Sequence, residues 1–172
     1  MANTFELISS VTVGSGGAAS IDFTSIPSTY TDLCLKWSLR SSRSADVGDE
    51  IFVKFNGNGS SYSSRYLLGY GNSTGSGTGG STQINRTWAD SNNATSSTFA
   101  NGEIYIPNYA GSNYKSASID SVTENNATSV YTSLTAGLWS NTAAITQITL
   151  TPEVGPNWLQ YSTAYLYGIS KN

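Results

Sequence analysis

The chain has 172 residues, a net charge of −3 and only 11% charged residues. Its eight basic residues cluster only at Lys36, Arg40 and Arg43, too small a basic surface to neutralise a nucleic-acid backbone. No apolar run approaches the ~20 residues of a membrane-spanning helix, and the first residues lack the basic and apolar regions of a signal peptide. Neither a nucleic acid nor a membrane is therefore an expected partner.

Strands separated by tight turns are the predicted elements, because aromatic and β-branched residues alternate with Gly, Asn, Ser and Thr along the whole chain. No convincing helix is predicted. The expected strands cover residues 5–13, 18–23, 33–40, 50–55, 64–70, 98–106, 115–122, 129–138, 144–150 and 159–169.

The segment 33–40 carries the clearest alternation. Leu33, Leu35, Trp37 and Leu39 share one face and predict a buried side, with Lys36, Ser38 and Arg40 on the other. Cys34 lies between two leucines and is expected to be a buried or half-buried thiol, because the chain has no second Cys and no His to activate it.

Residues 50–55 repeat this pattern, with Ile51, Val53 and Phe55 facing inward. The sequence Asn-Gly-Asn-Gly at 56–59 then supplies residues that tolerate positive φ, which predicts a hairpin reversal.

The segment 71–82 is rich in Gly, Ser and Thr and has no apolar side chain to bury, so it is predicted to be a long exposed insertion loop. With this loop included, residues 1–172 are expected to form one all-β domain. The predicted fold is an antiparallel β-sandwich of the jelly-roll type, and a closed β-barrel is the alternative.

Catalysis is not expected, because the absence of His removes the commonest general base and most zinc sites. A carboxylate pair is the remaining enzymatic option, and an ordinary acidic surface explains the same residues more simply. The acidic residues on or beside predicted strands are Asp49, Glu50, Glu103, Asp120 and Glu124.

No cofactor is expected. Asp46, Asp49 and Glu50 offer the oxygen ligands that Ca²⁺ prefers, opposite the turn at 56–58 across the predicted hairpin. They lack the full spacing of a calcium loop, so a solvated acidic turn is favoured over a metal site.

Aromatic residues near predicted strand ends and loops are candidates for interface contacts or for stacking on a sugar ring, and core packing is the third reading of the same residues. The candidates are Trp88, Trp139, Trp158, Tyr105, Tyr109 and Tyr114. Trp37, by contrast, is predicted to lie in the core.

Several segments together resemble short virion proteins of tailed bacteriophages, particularly aquatic phages of the cyanophage type. They are TFELISSVTV (4–13), ASIDFTSIP (19–27), YTDL (30–33), FNG (55–57), SRYL (64–67), GEIYIPNY (102–109), GLW (137–139) and STAYLYGI (162–169). The similarity covers nearly the full chain, and its motifs are structural.

The resemblance implies a capsid decoration (cement) protein, with a tail-fibre or receptor-binding, carbohydrate-binding β-module as the alternative. It implies a location on the virion, on the capsid surface or alternatively on the tail. The expected partners are the major capsid protein and further copies of the chain, in a homotrimer, and a host glycan is a candidate ligand. It implies no catalytic residue.

Overall fold

The computed structural model describes residues 4–127 and 129–170 and contains twelve β-strands. No helix occurs in these two ranges, so none there is long and apolar enough to cross a membrane. Residues 1–3, on which the signal-peptide expectation partly depends, lie outside the described residues. The strands are β1 (Phe5–Thr12), β2 (Ile21–Phe23), β3 (Asp32–Leu39), β4 (Gly48–Phe55), β5 (Tyr62–Tyr70), β6 (Ser73–Thr78), β7 (Trp88–Asp90), β8 (Ala100–Pro107), β9 (Lys115–Val122), β10 (Tyr131–Trp139), β11 (Ile148–Pro152) and β12 (Thr163–Ile169).

The strands form two antiparallel sheets packed face to face. The large sheet has the order β1-β12-β3-β8-β9-β10-β5-β6, and the small sheet has the order β2-β11-β4-β7. The predicted β-sandwich is therefore confirmed, because the strands make two separate sheets and not one closed barrel. Its jelly-roll form stays a prediction.

β3 supplies the centre of the core, as its alternation predicts. Leu33, Leu35 and Leu39 have no exposed surface, and Trp37 is 4% exposed. Cys34, the free thiol, is also buried, and burial is the main reason that its pKa is raised to about 11. Such a thiol is protonated and inert at neutral pH.

One residue of this segment departs from its predicted place. Arg40, expected on the exposed face, lies just beyond the end of β3 and is 6% exposed. Its guanidinium donates to the carbonyl oxygens of Thr95, Thr98 and Ala94 at 2.7, 2.8 and 2.9 Å. Burial is tolerated because these bonds satisfy the charged donors.

β4 buries Ile51, Val53 and Phe55 completely, as predicted. The turn after it has the expected positive φ at Asn56 (52°) and Gly57 (65°). The predicted hairpin is nevertheless wrong, because β4 pairs with β11 and β7 whereas β5 pairs with β10 and β6. The turn carries the chain from the small sheet to the large one.

The segment 71–82 is exposed as predicted, but residues Ser73–Thr78 form the edge strand β6 and not a loop. Backbone hydrogen bonds to β5, in register from Tyr70↔Ser73 to Arg65↔Thr78, hold this strand. An edge strand needs those bonds and no buried side chain, which explains why the lack of apolar residues misled the prediction. β7 was also not predicted, because three residues are too few to show a period.

Candidate functional site

Four of the six candidate aromatics are buried, so they are not available for sugar stacking on this chain. Trp139, Trp158 and Tyr109 are at most 1% exposed, and Trp88 is 8% exposed. Their positions near strand ends and loops predict exposure, and for these four residues that prediction is wrong. Those strand ends instead lie where the two sheets meet, and large rings fill the space there.

The tryptophans have specific partners in this layer. Trp139 stacks on Tyr62 with ring centroids 6.2 Å apart, and Trp88 stacks on Tyr131 at 3.8 Å. The Trp158 indole Nε1 donates to the Leu150 carbonyl at 3.1 Å. These contacts assign the three residues to the core.

Tyr105 and Tyr114 are the two candidates that solvent reaches, at 38% and 57% exposure. The Tyr105 hydroxyl donates to Asp32 Oδ2 at 2.6 Å, and this hydrogen bond is the main cause of its raised pKa. Tyr105 lies on β8, whereas Tyr114 precedes β9.

Among the predicted carboxylates, the structure brings together only Glu103 and Asp120, which are register partners on β8 and β9. Lys36 Nζ donates to Glu103 Oε2 at 2.6 Å on the same surface. Burial, and then the charge of Glu103, raise the pKa of Asp120. The pair is therefore part of an exposed ionic cluster, a kind of contact that contributes little to stability.

The three acidic residues proposed for Ca²⁺ do not form one ligand set. The Arg43 guanidinium lies 3.5 Å from Asp46 and 3.9 Å from Asp49, so a protein cation already faces both of these carboxylates. Asp46 accepts from the Tyr131 hydroxyl at 3.2 Å. Asp49 accepts from the backbone N–H groups of Val154 and Gly155 at 3.2 and 2.9 Å. Glu50 lies 2.6 Å from the Arg86 guanidinium.

The turn at 56–58, the other half of the proposed calcium site, lies at the opposite end of β4 from Asp46. Arg43 thus faces Asp46 and Asp49 while Arg86 pairs with Glu50, and the predicted ligand set is not assembled. Within residues 4–127 and 129–170 no group of three or more His, Cys, Asp or Glu residues is placed to hold a metal ion.

The surface with the most distinctive composition is the face of the large sheet that points away from the small sheet, which we call the outer face. One register row crosses it from β12 to β5. In order, the row contains Tyr165, Lys36, Glu103, Asp120, Leu134 and Leu67. Aromatic, ionic and aliphatic side chains thus follow one another across a single wide surface.

Leu67 and Leu134 form the aliphatic end of this row. They are direct cross-strand partners on β5 and β10 and are 61% and 54% exposed. Grooves of about 700 and 510 Å³ lie on the two sides of the pair. Exposure of two adjacent leucines to water is energetically unfavourable, which makes the pair a candidate contact surface.

Sequence alternation does not identify these leucines as exposed, because β10 places hydroxyl side chains on its buried face and a leucine on its exposed face. Its inward positions include Ser133 and Thr135, both buried, while Leu134 faces out. The inward hydroxyls are satisfied: Ser133 Oγ lies 2.8 Å from Ser121 Oγ, and Thr135 Oγ1 donates to the Arg86 carbonyl at 2.7 Å. A leucine flanked by Ser and Thr in a predicted strand is the sequence feature that could have indicated an outward-facing leucine.

Comparisons with protein-family models and with curated proteins find no match to this chain. The fold gives the class: a two-sheet antiparallel β-sandwich, whose larger sheet has an exposed face of mixed apolar and polar side chains.

Proposed function

We propose that the chain is a non-enzymatic structural protein of a phage virion, most specifically a capsid decoration protein that binds the outer capsid surface and stabilises the shell. The observation that carries the proposal is the exposed cross-strand pair Leu67 and Leu134 on a broad sheet face. A face of this kind suits docking against a large, flat protein surface.

The sequence resemblance supports the same role, since it extends over nearly the whole chain and rests on structural motifs. The buried carboxylates also have structural partners: backbone amides bind Asp49, and Arg86 pairs with Glu50. Decoration requires many individually weak contacts, which repetition over a shell multiplies through effective concentration. An exposed patch of two leucines provides a small contact area, which suits a weak, repeated contact better than a single very tight interface.

We propose further that the chain acts as a homotrimer, and the two edges of the large sheet suggest where subunits meet. The β1 edge carries Glu6 and a bulge between Leu7 and Ser9, features that discourage pairing. The β6 edge, Ser73–Thr78, is uncharged and pairs with β5 without a register shift. It is therefore the edge more open to a contact with a neighbouring chain. In a closed trimer this contact is heterologous, so β6 meets a different surface of the next subunit and not its β6. Sedimentation equilibrium is expected to return three chain masses.

The test is an add-back experiment on purified virions of the encoding phage. Particles are stripped of the protein by dilution and mild heating. Their thermal disruption is followed by the fluorescence of a dye that binds the released DNA. Stripped particles are expected to break at a lower temperature, and re-addition of the purified chain is expected to restore the original value.

Unchanged disruption temperature after stripping contradicts a cement role. Recovery of the chain with tails, and as a monomer in solution, contradicts the whole assignment and favours the tail-fibre alternative.

A further inference from the structure

A cleft at one end of the sandwich is formed by loops that the outer face does not use. Its volume is about 500 Å³, within the range of small-molecule sites. The turn at 14–17 makes one wall, the segment 97–99 makes another, and the turn at 157–161 makes the third. These loops join different strands, so the cleft depends on the fold and not on one local motif.

Tyr161 has a backbone conformation that its side chain disfavours. Its φ is 72°, in the left-handed region, and it occupies the third position of a turn closed by Ser162 N–H to Leu159 C=O at 3.1 Å. Glycine is the usual residue at such a position, because a β-carbon is strained there. The turn is held in place by a second bond, from Tyr161 N–H to the Val13 carbonyl at 3.0 Å.

Packing of the Tyr161 side chain does not offset this strain. It is 68% exposed, the most open of the large apolar and aromatic side chains in the described part of the chain. It makes no ring contact with another aromatic in that part. The Tyr161 backbone is strained although its side chain is exposed at the edge of a cleft, and this combination points to a binding role for the ring.

The opposite wall is fixed in advance. Ser97 also has a left-handed φ, of 65°, and Phe99 is half-buried beside it. The buried Arg40 guanidinium pins this segment through the carbonyls of Thr95 and Thr98. A ligand entering the cleft therefore meets an ordered surface and does not have to organise it.

The polar groups of the cleft are neutral amides and hydroxyls. The side-chain amides of Asn157 and Gln160 have no hydrogen-bond partner within residues 4–127 and 129–170. The Asn157 backbone is fixed at both ends, since its N–H donates to Ser42 Oγ at 3.0 Å and its carbonyl accepts from Ser42 N–H at 2.8 Å. No carboxylate lines the cleft, and Arg40 directs its donors to backbone carbonyls.

We propose that this cleft binds a neutral carbohydrate, with a pyranose ring stacked on Tyr161 and its hydroxyls bound by the Asn157 and Gln160 amides. An apolar ring face and equatorial hydroxyls match one exposed aromatic flanked by uncharged donors and acceptors. Arg40 keeps its positive charge, but its guanidinium donors are bound to backbone carbonyls and are not available to a carboxylate or sulfate, which favours neutral sugars over sialylated or sulfated ones. The site lies apart from the outer face, so it is independent of the proposed decoration function.

The experiment is saturation-transfer NMR on the purified full-length chain with methyl hexopyranosides, neutral oligosaccharides and their sialylated or sulfated counterparts, followed by affinity titration of the best binder. Wild type is expected to bind, with dissociation constants of about 1 mM for single sugars. Tyr161→Gly is expected to weaken binding at least about tenfold while its melting temperature stays equal or rises, because glycine relieves the strained φ. Tyr114→Gly, which removes another exposed ring outside the cleft, is expected to leave binding unchanged.

Three results overturn the proposal: no saturation transfer from any neutral saccharide at about 10 mM, unchanged affinity in Tyr161→Gly, or binding restricted to charged glycans. Failure of the add-back experiment on virions leaves all three readouts unaffected, so the two proposals fail separately.

Discussion

Replacing the exposed cross-strand pair Leu67 and Leu134 tests the docking surface directly. Leu67→Ser and Leu134→Ser together remove side chains that are 61% and 54% exposed in the free chain. Complete burial of an exposed leucine is worth about 1.5–3 kcal/mol, so burying the remaining half of each contributes about 2–3 kcal/mol for the pair. That corresponds to a loss of roughly 30- to 150-fold in affinity for each docked chain.

The folded state is expected to tolerate the same change. The part of each leucine that is already buried represents about 0.6–1.4 kcal/mol, so the double variant is expected to melt several degrees lower and still cooperatively. Val154→Ser is the matched control, because Val154 is 56% exposed and lies outside the large sheet, between β11 and β12.

Binding is measured by co-sedimentation of labelled protein with stripped virions across a concentration series. The double variant is expected to lose affinity while Val154→Ser binds as wild type. A folded double variant whose affinity stays within about threefold of wild type, under 1 kcal/mol, refutes the assignment of the outer face as the docking surface.

Three further predictions concern the fold. Trp37→Ala is expected to cost about 3–5 kcal/mol, because Trp37 is 4% exposed in the core; an unchanged calorimetric melting temperature contradicts its core position. Gly102→Ala is expected to destabilise by about 1–3 kcal/mol, because its β-carbon would collide with the Asp120 backbone carbonyl and lie 2.6 Å from the Trp37 ring. Gly69→Ala, whose β-carbon would meet nothing closer than 3.8 Å, is expected to be neutral or stabilising in the same urea titration. Burial raises the pKa of the Asp90 carboxyl, so the folded state binds its proton more tightly than the unfolded state does. As pH rises above about 4, the free energy of unfolding therefore falls because of Asp90. The stability gained by Asp90→Asn is therefore expected to be larger at pH 7 than at pH 4, and an equal gain at both pH values argues against a raised pKa.

The sequence was most informative where large apolar side chains alternate with polar ones. In β3 and β4 that period determines which face is buried, and Leu35 and Val53 lie where the period places them. The turn at Asn56 shows the limit of local signals. Its positive φ is readable from the residue type, but the sheet that the next strand joins depends on partners far along the chain.

The site residues were harder to predict for related reasons. β6 is held by backbone hydrogen bonds that leave no side-chain pattern. Leu134 faces out because small hydroxyl residues fill the inner positions of β10, and those hydroxyls find partners only in the folded chain. The strained φ of Tyr161 is a consequence of the surrounding turns, which residue type does not reveal.

The number of chains per purified virion tests the central claim most directly. Quantitative mass spectrometry of intact particles, with separated shells and tails, gives both copy number and location. A decoration protein is expected on the shell, with on the order of hundreds of copies per particle, because symmetry repeats its binding site over the capsid. A few copies to a few dozen, recovered with the tail fraction, would contradict the claim.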